Sequence, residues 1–417
     1  FDGDVTEIGK FAFQECENLQ SINLPDGVTT IGEVSFYKCG NLISVNVPNS
    51  VTSIGRLAFS DCSNLISINI PDGVTSIGDT AFAYCSSLTS VNIPNNVKKI
   101  ESMTFFFCEG LTDVTIPNGV TSIGAMAFQD CINLTSLIIP ESVTYIGGGA
   151  FGDCTNLISI NIPEGVTSIG DRAFMLCFGL TSVTIPSSVT SIGEDAFASC
   201  SNLKKVLNFS NLKFIKGSSD YGQVAQYADK VINLPNGCID GDFAWCKIDG
   251  VNTLAGYLGN ATELTLPADY KGENYAIGVI GSFAFSDCKN LTSVVIGDGV
   301  TSIGYSAFSD CENLTSVVIG NSVKSIGNYA FEDCTGLTSI EIPNSVTIIC
   351  EYAFSDCSGL TCITIPNSVT GIGYGAFGGC INLKTIINYS KLTLIKGRWD
   401  YGGVAQYAEE IINKQSE

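Results

Sequence analysis

The sequence predicts a repeat solenoid, β-rich with short 3₁₀ or helical turns, coiling as a curved right-handed superhelix of 23-residue units with an insert between two arrays. Three observations predict it. Cysteines fall 23 residues apart at Cys16, Cys39, Cys62, Cys85, Cys108, Cys131, Cys154, Cys177 and Cys200, and again at Cys288, Cys311, Cys334, Cys357 and Cys380, so fourteen of the 18 share one frame. Apolar residues recur at fixed places within each frame. Finally, 45% hydrophobic against 15% charged residues makes a chain able to bury a core.

Each element of the unit follows from its residues. Counted from Cys62 as position 1, the unit is C-S-N-L-I-S-I-N-I-P-D-G-V-T-S-I-G-D-T-A-F-A-Y, with apolar side chains at Cys62, Leu65, Ile68, Ile70, Val74, Ile77, Ala81 and Phe82. The L-x-x-I-x-I run is the strand pattern of leucine-rich repeats. Its alternation is strand-like, and Pro followed by Asp-Gly, Asn-Gly or Asn-Ser makes a turn. V-T-S-I-G is a second extended segment ended by glycine. The A-F-x-x-C stretch is expected to form one helical or 3₁₀ turn that drops Phe and Cys into the core. No single unit can bury its own apolar edge, so stability comes from stacking neighbours. Phe1 falls at position 9 of a unit without an evident cap, and the expectation is a piece of a longer protein.

The frame breaks once. The interval from Cys200 to Cys288 is not a multiple of 23, and register returns at Leu264, Leu266 and Pro267. The predicted organisation is a first array over 1–216, an insert over 217–263 containing a helix and short strands, a second array over 264–396, and a closing helical element over 397–417. The run N-L-K-K-V-L-N-F-S-N-L from 202 matches N-L-K-T-I-I-N-Y-S-K-L from 382, and each continues into Y-G-x-V-A-Q-Y-A. A larger module is thus duplicated, and its closing helix is expected to cap each array.

The unit C-x-N-L-T-S-V-x-I-P-x-x-V-T-S-I-G-x-x-A-F resembles the BspA-like leucine-rich-repeat family over the whole chain apart from the insert. The resemblance implies a secreted or cell-surface protein, since members are mostly surface or secreted proteins of bacteria and some mucosal protozoa, several associated with adhesion to host matrix proteins. It implies host or cell-surface proteins or glycans as partners, and a non-catalytic binding role. A rigid spacer within a larger surface protein is the alternative. A monomer is expected.

Composition narrows the function classes. The net charge is −21, and the 20 basic residues are scattered, which disfavours nucleic acid and anionic lipid. No run approaches the ~18 apolar residues of a spanning helix, so no direct membrane insertion is expected. Histidine is absent, which removes the commonest general base and transition-metal ligand. No phosphate loop, zinc spacing or G-x-S-x-G elbow occurs, and no cofactor is expected. An enzyme would need a carboxylate pair in a cleft of the insert, near Trp245, Asp240, Asp242 and Asp249.

Four groups of residues are candidates for other chemistry. The cysteine column should be buried, because strands ~4.8 Å apart hold Cβ atoms beyond the ~3.5–4.5 Å of a disulfide; Cys238 and Cys246 are the one pair to test. The exposed strand face carries serines at position 6 and Asn23, Asn46, Asn69, Asn92 and Asn161 at position 8, a polar ladder expected to bond laterally and able to bind a protein or glycan. Tyr305, Tyr329, Tyr352 and Tyr374 form a stripe at positions 18 and 19 with the contact area of binding anchors. Asp287, Asp310, Asp333 and Asp356 form a column before each cysteine, suited to turn capping or, alternatively, to calcium.

Overall fold

The computed structural model describes residues 5–266, 269–270, 273–276, 278–398 and 401–414. They divide into two compact units, Phe1–Asn233 and Leu234–Glu417. Each unit is a parallel β-solenoid whose strands pair one period on. In unit 1 the strands Ser21–Asn23, Ser44–Asn46, Ser67–Ile68, Ser90–Asn92 and Asp113–Thr115 form one sheet, with Ser21 opposite Ser44 and Ser90 opposite Asp113. The V-T-S-I-G segments form sheets of their own, such as Glu7–Ile8, Thr30–Ile31, Ser53–Ile54 and Ser76–Ile77. The 23-residue sequence period is therefore one coil of backbone.

The repeated apolar positions face inward. Phe36 to Phe197, one per coil, are wholly buried, and successive rings lie nearly parallel at 5.1 Å (Phe36–Phe59) to 5.6 Å (Phe82–Phe105). Unit 2 repeats the stack from Phe285 to Phe377, at 4.8 Å (Phe285–Phe308) to 5.2 Å. The cysteines sit beside it, and the Cys62 thiol donates to the Phe36 carbonyl at 3.2 Å. That carbonyl already accepts the Cys39 amide, so the thiol occupies its second lone pair. Cysteine is thus more than a small apolar filler here.

The expected helical turns are not formed: among the described residues there is no helix. The A-F-x-x-C stretch is instead a ladder of tight turns with a left-handed residue every fourth position. Leu57 (φ 55°), Asp61 (φ 58°), Thr80 (φ 59°) and Tyr84 (φ 61°) show the pattern. The hydrogen bonds explain it. The amides of Leu57, Phe59 and Asp61 donate to Asp79, Ala81 and Ala83 in the next coil, while those of Ala58, Ser60 and Cys62 donate back three residues. A helix would spend every amide within its own segment. Here alternate amides are claimed by the neighbour, and the left-handed residues turn them outward.

The closing elements are corrected in the same way. Residues 221–227 and 401–407 form turns, followed by the strands Lys230–Asn233 and Glu410–Asn413, each pairing in parallel at the edge of its sheet. Buried Asn208 donates to the Leu212 carbonyl and to Asn233 at 2.7 Å, and accepts from Ser210. Asn388 does the same with Leu392, Asn413 and Ser390. The duplicated sequence thus builds a duplicated polar end to each solenoid.

The predicted insert is divided between the units. Its later part forms the antiparallel strands Cys238–Asp240, Phe243–Ile248 and Val251–Tyr257, the last pairing in parallel with Val279–Ile280. Tyr257 stacks on Phe285 at 5.5 Å and so begins the ring stack of unit 2.

Candidate functional site

The predicted tyrosines are brought together. In unit 2, Phe283, Tyr305, Tyr329, Tyr352 and Tyr374 make a continuous ring ladder with centroid separations of 5.2, 5.4, 4.9 and 5.6 Å. Tyr329 and Tyr352 stack face to face, and the outer pairs meet edge to face. Phe283, Tyr329 and Tyr352 occupy the left-handed position 19, whereas Tyr305 and Tyr374 reach in from position 18. Tyr374 is 68% exposed and Tyr305 45%. Desolvation, followed by neighbouring Tyr352, Tyr305, Glu332 and Glu351, pushes the Tyr329 hydroxyl up, so it stays a neutral donor. Ring edges and hydroxyls thus line one edge of unit 2.

Beside this ladder runs the aspartate column. Asp287, Asp310, Asp333 and Asp356 take the left-handed position (φ 55–60°) that Asp tolerates better than most residues. The backbone amides of Asp310 and Asp333 donate to the next coil, to Glu332 and Ser355. Asp356 accepts from the adjacent Ser355 hydroxyl at 2.8 Å. Burial, then the like charges of Asp356 and Asp310, raises the Asp333 carboxyl; Glu332 is raised by burial and then by Asp333. Among the described residues no three His, Cys, Asp or Glu side chains converge as a metal site.

The strand face differs from expectation. Asn23, Asn46, Asn69, Asn92 and Asn161 are all exposed. Only Asn161 bonds laterally, donating to the Ile139 carbonyl at 2.7 Å and accepting its amide at 2.9 Å. Among the described residues no side-chain bond joins the position 6 serines or the position 8 asparagines to their like in the next coil, although like heads do meet in other columns, as Asn64 to Asn41 at 3.2 Å and Ser191 to Ser168 at 3.1 Å. Lateral bonds run in other columns: Thr29, Thr52 and Thr75 each donate to a backbone carbonyl one coil back. Asn41, Asn133 and Asn202 do likewise. The face is also less polar than its letters suggest, because Ile138 takes the asparagine position at 79% exposed and Ile66 is half exposed.

In the insert, Cys238 lies opposite Trp245 rather than Cys246, so the two cysteines face opposite sides of the ribbon; Cys246 is a free thiol and no disulfide joins them. Trp245 is buried, with Asp240 and Asp242 at one end of its strand and Asp249 in the turn at the other.

Two features of unit 1 were missed in the sequence reading. Tyr84, Phe106 and Phe107 form an aromatic cluster at positions 22 and 23, with Tyr84 and Phe107 stacked at 5.4 Å and Phe106 edge-on to both. Further along the same edge, Gly148, Gly149 and Gly152 replace the side chains of one coil, leaving a cleft of about 530 Å³. The signal was the run I-G-G-G-A-F-G from 146, glycine where the other coils of unit 1 carry side chains.

The model of the BspA type leucine rich repeat region matches residues 1–112, 121–222 and 278–399 in six copies. A leucine-rich repeat protein of Bacteroides ovatus is similar at 28% identity, covering 99% of this chain and 88% of that one, with a TM-score of 0.47. A leucine rich cell surface protein of Faecalibacterium prausnitzii is similar at 29% identity, covering 92% and 90%, with a TM-score of 0.41. No curated protein matches in sequence.

Proposed function

The chain belongs to the BspA-type leucine-rich repeat family, and on that footing we propose that it is a non-catalytic extracellular binding module that contacts host or cell-surface proteins or glycans through the aromatic edge of unit 2. The observation that carries the reading is the unbroken ladder from Phe283 to Tyr374. A side chain that serves only the fold has no reason to be aromatic, coil after coil, on an edge whose backbone bonds are already complete. Rings are low in conformational entropy and rich in contact area, which is why anchor positions of interfaces favour them. The asparagine face, with Asn23, Asn46, Asn69 and Asn92 exposed and isoleucines between, would add weak contacts.

The test is a binding screen of the immobilised chain against matrix proteins, mucins and glycans, beside a variant with Tyr305, Tyr329, Tyr352 and Tyr374 changed to Ser. Capture by the wild type and loss in the variant is the expected result. Capture that survives the change removes the ladder from the site, and no capture at all sinks the reading. The last outcome favours the rigid spacer, for which the ring stack and lateral threonine bonds supply the stiffness. A spacer would be replaceable by an unrelated solenoid of equal length.

A further inference from the structure

The geometry points to a second binding site, in unit 1: the glycine cleft is a slot for one aromatic side chain of a partner polypeptide with basic flanking residues. Every other coil along this edge places a side chain at positions 18, 19 and 22. The coil of Gly148, Gly149 and Gly152 places none. Its neighbours are Met126 on one side and Met175 on the other, both half-buried and both lining the cleft.

The width of the slot follows from the coil spacing. The buried phenylalanines of these coils, Phe128, Phe151 and Phe174, are separated by 5.5 and 5.4 Å. The absent side-chain layer of that coil therefore leaves a space one layer wide, into whose Gly149 side Met126 leans, its Cγ 3.2 Å from where a Cβ would stand. Aromatic rings pack with centroids 4.5–7 Å apart, so one ring inserted there contacts both walls. Thioether sulfur is a favourable neighbour for a ring. The protein fills the position 19 column with rings elsewhere, as Tyr329 against Tyr352 shows. Met126, at position 19 of the coil before, and Met175, at position 22 of the coil after, border the vacancy diagonally, and a planar ring fits between these thioethers better than a branched aliphatic side chain.

The charge of the partner follows from the rim. Asp171 and Glu194 line the cleft, and Asp130 and Asp153 adjoin Gln129 and Gly152. Only Arg172 opposes these four carboxylates there, and it makes no ion pair among the described residues. A ring flanked by lysine or arginine meets net negative charge. Because Asp171 and Arg172 are exposed, the slot opens along the edge of the solenoid, where a side chain from another surface can enter.

The chain holds three methionines, Met103, Met126 and Met175, so ¹³C-methyl-methionine spectra of the whole protein contain three signals. Titration with the peptide Ac-Lys-Tyr-Lys-amide should move the Met126 and Met175 methyls by ring-current shift and leave Met103 nearer its place. Ac-Lys-Leu-Lys-amide and Ac-Glu-Tyr-Glu-amide should bind at least tenfold more weakly. Gly152→Met should abolish the shift while leaving the fold intact, because position 22 of the next coil is Met175 and a Cβ at Gly152 meets neighbours no nearer than 3.5 Å. Unmoved methyls, equal binding of the leucine peptide, or equal or tighter binding of the acidic one overturns the assignment. If the variant fails to fold, the wild-type titration still decides. The four-tyrosine variant of unit 2 should bind the peptide unchanged, which separates failure here from failure of the proposed function.

Discussion

Replacing Phe128 by alanine should cost the stack near the top of the range for core truncations. The ring is wholly buried, with Phe105 at 5.3 Å on one face and Phe151 at 5.5 Å on the other. Losing a buried phenylalanine side chain costs about 3–5 kcal/mol, and the figure rises with the cavity that stays open. Here it stays open, because the flanking rings are held in parallel planes by their own coils and cannot tilt inward. The arrangement also predicts how two such losses combine. Removing Phe105 and Phe128 together should cost about 0.5–1.5 kcal/mol less than the sum of the single changes, since both singles lose the same ring contact. Removing Phe59 and Phe128, three coils apart, should be additive within about 0.5 kcal/mol. Chemical denaturation of the full chain, following the unit 1 transition, measures the five variants beside the wild type. A single cost under about 2 kcal/mol, or equal coupling for near and distant pairs, would refute the picture of stability as nearest-neighbour terms.

Four further outcomes follow from particular groups. Burial pushes the Cys108 and Cys200 thiols up to about 12, so at pH 8 an alkylating reagent followed by mass spectrometry should label exposed Cys16 and Cys362 quickly and those two only on unfolding. Asn388→Ala leaves the Leu392 carbonyl and Asn413 without their donor, and should lower stability by about 1–3 kcal/mol in urea titrations. Asp333 and Glu332 have raised folded values, so the folded chain holds more protons than the unfolded one in the window opening at about 4; unit 2 should lose stability as pH rises through it, and Asp333→Asn should flatten that fall in thermal melts. Lys10 and Arg56 both pair with Glu33, at 2.7 and 3.1 Å, yet both cations are exposed and Glu33 is itself a third exposed, so Glu33→Gln should leave the melting point unmoved within error at 0.5 M salt.

Much of the solenoid could be read from letters because its period is set by burial. Cys62, Leu65, Ile68, Val74, Ile77, Ala81 and Phe82 are inside for the reason the sequence suggested: they recur where a stacked coil has no water. The turns were misjudged because A-F-x-x-C has helical spacing but not helical bonding. Whether an amide donates within its segment or to the next coil is a property of the stack, invisible in one unit. The serine and asparagine columns were overrated for a similar reason. Whether like heads meet depends on the column: Asn64 reaches Asn41 and Ser191 reaches Ser168, the strand-face serines and asparagines do not pair, and threonine bonds to backbone instead, as Thr52 does to Thr29. Cys238 and Cys246 depended on register, which the hairpin sets at Cys238 to Trp245. The division of the insert was half legible, since the copy of 202–233 at 382–413 already marked where one module closes.

The contrast between the inner positions and the turn edge bears on where binding evolves in such a chain. Position 19 holds Phe11, Val34, Leu57, Thr80, Met103, Met126, Gly149, Arg172 and Asp195 in unit 1, then Phe283, Ser306, Tyr329, Tyr352 and Gly375 in unit 2. Position 21 holds Phe throughout. Both sit on the same tight turn, and both amides donate to the next coil, as Leu57 does to Asp79 and Phe59 to Ala81. The difference is what the side chain must do. At position 21 it fills the stack. At position 19 the backbone alone secures the left-handed turn, and side chains as unlike as Arg172 (φ 57°) and Tyr352 (φ 55°) adopt it. A site held by main-chain bonds to its neighbour leaves its side chain free of structural duty. The edge of the turns, rather than the strand face, is therefore where this fold can collect rings, charges or a gap without losing a coil. That is where both the tyrosine ladder and the glycine cleft lie.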